Sequence, residues 1–537
     1  MLFNSYAFIF AFLPFTLLGM VLVTRWSAGR SAPLMWLIGC SVLFYTVWNP
    51  INLLIIAPSL LVNYCLARWL RIKLNAPDGQ ERGATALLAL GILFNLCFLG
   101  YFKYKNFFLE SVNYIGGTDF PLLATILPLG ISFITFQKIA FLVDVRSGAV
   151  KSFDGLDFLI FVFFFPQLIA GPIVHYREMV PQFQFLHKLS LRDLAIGLSL
   201  FAIGLFKKGV LADGIAPYAS AIFETSERGQ HLGLAQAWLG ATAFMLQVYF
   251  DFSGYSDMAI GLGRVFGVRL PINFDSPLKA RSIIDFWNRW HMTLTRFLTA
   301  YVYSPIILRL TRARMAAGKS VAGSRGSDAT AFMLLIAMPT VFTMFLSGLW
   351  HGAGLTFVLY GLLHGAYLTV NHAWRQWRPR WDRARYERVM NPLGLLLTLA
   401  AAVFAMALFR SRTLAGAGHM MIALLGGDGV SLPAAVLGRL GALGDWLQSA
   451  GVTAELGSGA VLARGAAWCL VLLALAIKLP NSMESMGRFE PAQGAKARAP
   501  EPWLIDLNRR WAVILGLAFL LGVLSLNRVS EFLYWQF

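Results

Sequence analysis

The sequence predicts an all-α protein that crosses a membrane many times. Of its 537 residues, 57% are hydrophobic and only 13% are charged, which is about half the charged share of soluble domains. The mean hydropathy is +0.63. Apolar runs that approach the roughly 20 residues needed for a transmembrane helix recur along the whole chain. A lipid bilayer is therefore the expected solvent for most of this surface.

The net charge of +18 does not indicate nucleic-acid binding. The basic residues lie in short loops between apolar runs rather than in one stripe with interleaved aromatic residues. Membrane proteins keep an excess of Lys and Arg in their cytoplasmic loops, which accounts for the sign of the charge. Two basic segments, Arg309 to Arg325 and Arg375 to Arg388, are the best candidates for cytoplasmic loops.

Nine apolar runs are continuous and predict helices in or across the membrane. The first has no preceding Lys or Arg, which a signal peptide would need, so it is interpreted as a retained span. The runs are Ala7 to Thr24, Ala84 to Phe102, Asp193 to Phe206, Leu232 to Phe250, Ala331 to Leu349, Leu355 to Val370, Leu393 to Phe409, Ala466 to Ile477 and Trp511 to Leu526.

Three other apolar segments are interrupted. Pro33 to Ala67 contains Asn49-Pro50 and Pro58, while Phe120 to Val143 and Phe158 to Ile173 each contain Pro and Gly. Broken helices at membrane depth need protein or a water-filled cavity to satisfy the freed backbone groups. These segments therefore predict an interior cavity rather than a simple bundle that faces lipid, and the continuous runs shorter than a full span are candidates for re-entrant helices. We expect ten to thirteen spans in one domain covering residues 1–537, with a polar loop from Pro480 to Arg510 before the last span.

His351 is the first residue that suggests chemistry. It lies in Ser347-Gly-Leu-Trp-His-Gly-Ala-Gly354, and no Asp, Glu, Lys or Arg occurs between Ala331 and Trp374. Ionisable groups within membrane segments are costly and mark functional sites. Burial favours the uncharged imidazole, which can act as a general base. The alternative is a buried histidine bonded to a helix neighbour, but the surrounding glycines, which permit close approach of a ligand, favour catalysis.

The two apolar runs around His351 predict a helical hairpin. If both flanking loops are cytoplasmic, each arm of 16 to 19 residues rises roughly 24–28 Å as a helix. The hairpin would then hold His351 deep in the membrane or at its far side. Such a position suits a reaction between a cytoplasmic donor and an acceptor on the other side.

A second polar cluster runs from Asp285 to Thr295. Ser282 followed by Asp285 fits a capping box, so a helix is expected to begin near Ser282. On one continuous helix, Trp287, His291 and Thr295 would share a face. The cluster also fits an interfacial helix whose aromatic and basic side chains lie at the headgroup level, which here are Trp290 and Arg289.

A third cluster, Gln247 to Gly261, contains two carboxylates at the end of a span, Asp251 and Asp257. They are candidates for positioning a ligand or orienting a catalytic side chain, and the alternative is a polar loop with a helix cap. His364 and His372 follow His351, but no Cys or carboxylate accompanies them, so no metal site is predicted. Phosphate-binding and serine-nucleophile motifs are absent from the sequence.

Six longer stretches point to a known family. They are Tyr101-Phe-Lys-Tyr-Lys-Asn-Phe107, Leu127-Pro-Leu-Gly-Ile-Ser-Phe-Ile-Thr-Phe-Gln137, Phe165-Pro-Gln-Leu-Ile-Ala-Gly-Pro172, Tyr249-Phe-Asp-Phe-Ser-Gly-Tyr-Ser-Asp-Met-Ala-Ile-Gly-Leu-Gly263, Phe286-Trp-Asn-Arg-Trp-His291 and Leu349-Trp-His-Gly-Ala353. With them the chain resembles the membrane-bound O-acyltransferases, in particular the bacterial branch similar to alginate O-acetyltransferase. The resemblance is specific over a core of about residues 90–375 and weaker for the helices in 390–537.

This resemblance implies a fold in which a ring of membrane spans surrounds a tunnel. It also implies an activity, the transfer of an acyl group from a cytoplasmic thioester to a hydroxyl. It assigns the catalytic histidines to His351 and His291. It implies acetyl-CoA or an acyl carrier thioester as donor, no tightly bound cofactor, a polysaccharide acceptor and a periplasmic hydrolase-like partner, in the bacterial inner membrane. The residues expected to line the substrate tunnel are Asp251, Asp257, Trp287, Trp290, Trp350, Gln137 and Ser347.

Three alternatives stay open at this point. Within the enzymes, D-alanyl transfer to a cell-wall polymer competes with acetylation of an exopolysaccharide. A transporter would also have broken spans and buried polar groups, although it would predict duplicated halves, which the sequence does not show. A non-catalytic scaffold of a polysaccharide export complex is the third possibility.

Overall fold

A computed structural model describes residues 1–27, 29–76, 81–124, 126–186, 189–321, 328–378, 382–455, 459–527 and 533. Parts of both predicted cytoplasmic loops, residues 322–325 and 379–381, lie outside this description. The described chain is mainly helical, with one parallel pair of three-residue strands, β1 (Ser431–Pro433) and β2 (Thr453–Glu455). The predicted all-α class is therefore confirmed.

The chain divides into two compact units. Of the described residues, unit 1 comprises those in Met1–Phe206, Gly254–Asn273 and Ser482–Gln536, and unit 2 comprises those in Lys207–Ser253 and Phe274–Asn481. Neither unit is one continuous stretch of chain. The prediction of one domain over the whole chain stays a prediction.

Unit 1 contains the N-terminal helices and the last helix. Its helices are α1 (Leu13–Trp26), α2 (Ser31–Thr46), α3 (Ile51–Leu74), α4 (Glu81–Leu99), α5 (Lys105–Gly116), α6 (Ile131–Arg146), α7 (Gly155–Phe163), α8 (Phe165–Leu168), α9 (Tyr176–Met179), α10 (Leu191–Phe206) and, after unit 2, α24 (Ser482–Ser485) and α25 (Arg509–Leu524).

A pair of buried amides joins α3 to α4 in unit 1. Asn63 Nδ2 donates to Asn95 Oδ1 over 3.2 Å, and Asn95 Nδ2 donates to Asn63 Oδ1 over 2.6 Å. Both side chains are fully buried. Each Nδ2 also donates over 2.8 Å to a backbone carbonyl of its own helix, that of Ser59 or of Gly91. Polar side chains in membrane helices commonly bond across helices in this way.

Unit 2 contains the central helices and the small strand pair. Its helices are α11 (Asp213–Glu227), α12 (Leu234–Val265, which enters unit 1 at Gly254), α13 (Ile283–Trp287), α14 (Met292–Leu298), α15 (Ser304–Ala316), α16 (Ala329–Phe332), α17 (Met338–His351), α18 (Leu355–Trp377), α19 (Arg383–Arg410), α20 (Leu414–Leu424), α21 (Ala434–Arg439), α22 (Ala442–Ser449) and α23 (Gly459–Lys478).

Seven helical segments of the described chain are long and apolar enough to cross a membrane, which confirms a multi-pass membrane protein. Ser31–Thr46 and Leu414–Leu424 are apolar but shorter. The expected number of ten to thirteen spans stays a prediction. The seven segments are Phe8–Trp26, Ile51–Leu74, Glu81–Gly116, Leu191–Glu227, Ala329–His351, Arg383–Arg410 and Gly459–Lys478.

The predicted helix breaks are confirmed, with one exception. Helix α3 begins after Pro50, and α6 begins at Ile131 after a Gly130 with φ of +69°. Pro58, in contrast, lies inside α3 and does not interrupt it, so the predicted break there is wrong. Membrane helices tolerate an interior proline because neighbouring groups satisfy the carbonyl that loses its partner.

Candidate active site

Helices α17 and α18 form a hairpin whose backbones touch. A Cβ atom added to Gly348 would collide with the carbonyl oxygen of Phe357, and one added to Gly361 would collide with that of Met344. Small residues let membrane helices approach this closely. The contact fixes the hairpin that presents His351, the last residue of α17.

The His351 ring lies in an aromatic enclosure. Its centroid is 5.2 Å from the ring of Phe409, 5.0 Å from that of Trp350 and 6.0 Å from that of Tyr360. The residue is 4% exposed. Gly352 follows in an extended conformation and ends the helix. His351 is therefore a buried imidazole held at the turn of the hairpin.

The second histidine, His291, lies at a break between two short helices. Ser282 caps α13 as predicted, its Oγ accepting from the backbone nitrogen of Asp285 over 3.1 Å. However, α13 ends at Trp287, and His291 adopts a left-handed backbone with φ of 43° before α14 begins. The predicted continuous helix with Trp287, His291 and Thr295 on one face is therefore wrong, because the left-handed backbone of His291 interrupts the helix.

The break brings His291 next to His351. Their ring centroids are 6.5 Å apart, and His291 also contacts the rings of Phe252 at 4.8 Å and Trp350 at 5.8 Å. Burial lowers the pKa of His291 to about 3. The ring is thus uncharged at physiological pH. Left-handed backbone is uncommon for a residue other than glycine and is concentrated at functional sites.

Trp287 bonds to a third histidine. Its indole Nε1 donates to Nδ1 of His364 over 3.2 Å, and the two ring planes are perpendicular with centroids 5.2 Å apart. His364 is fully buried and lies on α18. Its ring also contacts Tyr360, 4.6 Å away between centroids. Because Tyr360 contacts His351 as well, the three histidines belong to one cluster in unit 2.

Two further predicted residues also line this part of unit 2. Trp290 is 5% exposed and packs against the rings of Phe274 and Phe286. Ser347 lies one turn before His351 and is 1% exposed, and its Oγ has no hydrogen-bond partner within the described residues. Buried polar atoms usually have a partner, so a group without one is a candidate for contact with a ligand.

Asp251 belongs to a buried ion cluster in unit 2. Lys208 Nζ lies 2.8 Å from a carboxylate oxygen of Asp251 and 2.8 Å from one of Asp213, and all three side chains are at most 9% exposed. The next residue along the chain, Phe252, contacts the His291 ring. The carboxylate therefore neutralises a buried cation and anchors the helix segment beside His291. A direct role in the tunnel stays a prediction.

Two predicted tunnel residues, Asp257 and Gln137, belong to unit 1. Ser482 Oγ donates to the carboxylate of Asp257 over 2.8 Å. Gln137 is 3% exposed on α6, and its Oε1 has no hydrogen-bond partner within the described residues. Their assignment to the tunnel stays a prediction.

Sequence reasoning underestimated His364 and missed Phe409 and Lys208. The signal for His364 was present, since it lies in the same uncharged stretch as His351. Considering His364 only as a possible metal ligand leaves out the hydrogen bonds that its imidazole can form. Phe409 carried no signal, because an aromatic residue in an apolar run is ordinary and only the packing of α19 brings it to His351.

Fold and site together define a class: a multi-pass membrane protein with a cluster of buried imidazoles in and beside one of its helical hairpins. The sequence model of the membrane-bound O-acyltransferase family matches residues 10–320, a range that contains His291 and ends before His351. The chain belongs to the membrane-bound O-acyltransferase family, and it is an O-acyltransferase.

Relatives cover most of the chain. It is 38% identical to the peptidoglycan O-acetyltransferase of Helicobacter pylori, over 80% of this chain and 81% of that one. It is 37% identical to the probable alginate O-acetylase AlgI of Pseudomonas aeruginosa, over 79% of this chain and 75% of that one. The teichoic acid D-alanyltransferase of Bacillus subtilis is 27% identical, over 53% of this chain and 69% of that one.

Proposed function

We propose that the chain transfers an acetyl group from a cytoplasmic thioester, acetyl-CoA, towards hydroxyls of an extracytoplasmic polysaccharide across a bacterial inner membrane. The observation that carries the proposal is a buried pair of rings with centroids 6.5 Å apart, His351 at the turn of a membrane hairpin and His291 beside it. An uncharged imidazole in such a site can take a proton from a hydroxyl.

The charge pattern supports the direction of transfer. Basic residues precede the helical segment Ala329–His351 and recur from Arg375, in the last turn of α18, onward, and such residues favour the cytoplasmic side. The 23 residues of Ala329–His351 rise about 34 Å as a helix. His351 then lies at the end of the hairpin far from the cytoplasm, where an outside acceptor meets a donor that enters from inside.

In the proposed reaction, His351 accepts the proton of the acceptor hydroxyl while that oxygen attacks the thioester carbonyl. The new C–O bond forms an ester, the C–S bond breaks, and the sulfur leaves with the electron pair as thiolate. The proton on His351 then passes to the thiolate or to solvent, which restores the neutral ring. His291, also neutral, lines the site beside the base.

The relatives support acetyl transfer to a polysaccharide more than the alternatives. The relatives with the highest identities quoted above are an O-acetyltransferase of peptidoglycan and a probable alginate O-acetylase. A D-alanyltransferase matches about half of the chain at 27% identity, so D-alanyl transfer is the second candidate. Membership of an acyltransferase family speaks against a transporter or a scaffold. We further propose a periplasmic hydrolase-like protein as partner in the final transfer.

The test uses the purified protein in detergent with acetyl-CoA and a soluble glycan acceptor. Release of free thiol and acetyl groups on the glycan are measured together. His351→Ala should lower the rate by roughly 10²–10⁴-fold, the contribution that base assistance usually makes. Near-normal transfer by this variant would rule out His351 as the base.

A matched control comes from an exposed histidine of the same unit. His419 lies on α20, where its ring contacts the backbone oxygen of Ser226. His419→Ala should leave the rate unchanged. Both variants should elute as the wild type does on size exclusion, so that a loss of activity in His351→Ala reports chemistry rather than misfolding.

A further inference from the structure

The tautomer of His364 follows from its bond to Trp287. An indole N–H can only donate, so Nδ1 of His364, 3.2 Å from Trp287 Nε1, must accept. A protonated imidazole carries hydrogen on both nitrogens and could not accept there. His364 is therefore neutral, and its one ring proton is on Nε2.

This Nε2–H group is buried and has no hydrogen-bond acceptor within the described residues. The rings beside it, Tyr360 at 4.6 Å and Tyr367 at 5.6 Å between centroids, offer aromatic faces, which are weak acceptors compared with oxygen. Natural folds rarely leave a buried donor without an oxygen partner, and those that do often bind a ligand there. The group is thus poised for an acceptor supplied from outside the chain.

The register of the hairpin locates His364 along the membrane. Gly361 faces Met344 and Gly348, and Gly365 faces Val341 and Met344. His364 is therefore level with about residue 344 of α17, some seven residues or about 10 Å before His351. This displacement is towards the end of the hairpin that carries the basic residues.

Ser347 lies between the two levels, on the same helix as His351 and one turn before it. Its Oγ is a second buried polar atom without a partner in the described part of the chain. Tyr360 contacts the rings of both His351 and His364. A short series of polar groups therefore leads from the proposed base towards the basic end of the hairpin.

We propose that His364 Nε2–H binds a carbonyl oxygen of the acyl donor, either the thioester carbonyl or an amide carbonyl of its pantetheine arm. The inference rests on the proposed function for the identity of the donor. An uncharged N–H group enclosed by aromatic rings matches an uncharged carbonyl oxygen. It would be a poor site for phosphate, which prefers cationic partners. His364 is thus a donor-binding residue, distinct from the base His351.

Two substitutions separate hydrogen bonding from packing. In His364→Asn the amide oxygen can still accept from Trp287, but no N–H reaches the position of Nε2. In His364→Gln the amide N–H lies near that position. Loss of one neutral hydrogen bond should raise the KM for acetyl-CoA about tenfold in the Asn variant and leave the KM for the glycan within about twofold. The Gln variant should recover most of the loss.

Binding is measured separately from transfer, in the His351→Ala protein, with S-acetonyl-coenzyme A, a thioether that keeps the carbonyl but cannot transfer it. His364→Asn should weaken this binding about tenfold. If binding of S-acetonyl-coenzyme A depends on His364 but the wild-type protein transfers no acetyl group, the proposed function is wrong and the assignment of His364 to acyl-donor binding is retained. If transfer proceeds and neither KM nor binding responds to the Asn variant, or if Asn and Gln behave alike, the inference is overturned.

Discussion

The contact between Gly348 and Phe357 allows a sharp test of how the hairpin supports the site. In Gly348→Ala the new methyl group points at a backbone carbonyl, which cannot rotate away as a flexible side chain would. Normal contact begins at 3.4 Å, so α18 must retreat from α17 by about 1 Å. The change adds one carbon atom and no charge.

The expected effects are worked from that displacement. Overpacking of this kind costs about 1–3 kcal/mol of stability. Because His351 and Tyr360 lie on opposite arms of the hairpin, a shift of about 1 Å also misplaces the proposed base and should lower the rate about 10²-fold. The loss of acetyl-transfer activity in Gly348→Ala should therefore be larger than the loss of stability alone would cause.

The assay compares acetyl transfer and thermal unfolding in the same detergent. Gly418→Ala is the control, since Gly418 lies in helix α20 and a Cβ atom added there would have no heavy atom within 4 Å. It should gain about 0.5–1 kcal/mol, as expected when alanine replaces glycine in a helix. If Gly348→Ala matches this control in both activity and stability, the hairpin contact does not hold the site.

Two further outcomes follow from buried charges and rings. Lys208→Met leaves the carboxylates of Asp213 and Asp251 buried without their cation, so it should cost roughly 3–5 kcal/mol in thermal or denaturant unfolding, and replacing both carboxylates by Leu as well should recover most of it. No recovery would contradict the ion-pair account. Because folding lowers the pKa of His291 to about 3, the unfolded chain binds a proton there below about pH 6.5 while the folded protein does not. The free energy of unfolding should therefore decrease as the pH is lowered from about 6.5 towards about 3, by up to about 1.4 kcal/mol per pH unit. His291→Gln should remove this part of the pH dependence, and an unchanged pH dependence would show that His291 does not contribute.

Much of the fold was predictable because the signals are local. Apolar runs marked the spans, Pro50 marked the start of α3, and Ser282 with Asp285 marked the start of α13. His351 stood out since an ionisable side chain in a long uncharged stretch is costly. Each of these predictions depends only on neighbouring residues and on the expected lipid solvent, so the sequence was sufficient to make it.

The assembly of the site was not predictable from local patterns. The left-handed backbone of His291 has no signature in a residue that is not glycine, so a continuous helix was expected there. Lys208 and Asp251 are distant in sequence and meet only through packing. The role of Trp287 is similar, because its bond to His364 depends on how α13 lies against α18.

The amide pair of Asn63 and Asn95 has a consequence for how the chain enters the bilayer. The two side chains satisfy each other only in one alignment of α3 and α4. A slip by a single turn, about 5.4 Å, would break both bonds between the helices and leave each Nδ2 only its bond to a carbonyl of its own helix. The pair therefore fixes the depth of α4 relative to α3. It can do so as soon as both helices have entered the bilayer, before the later spans insert.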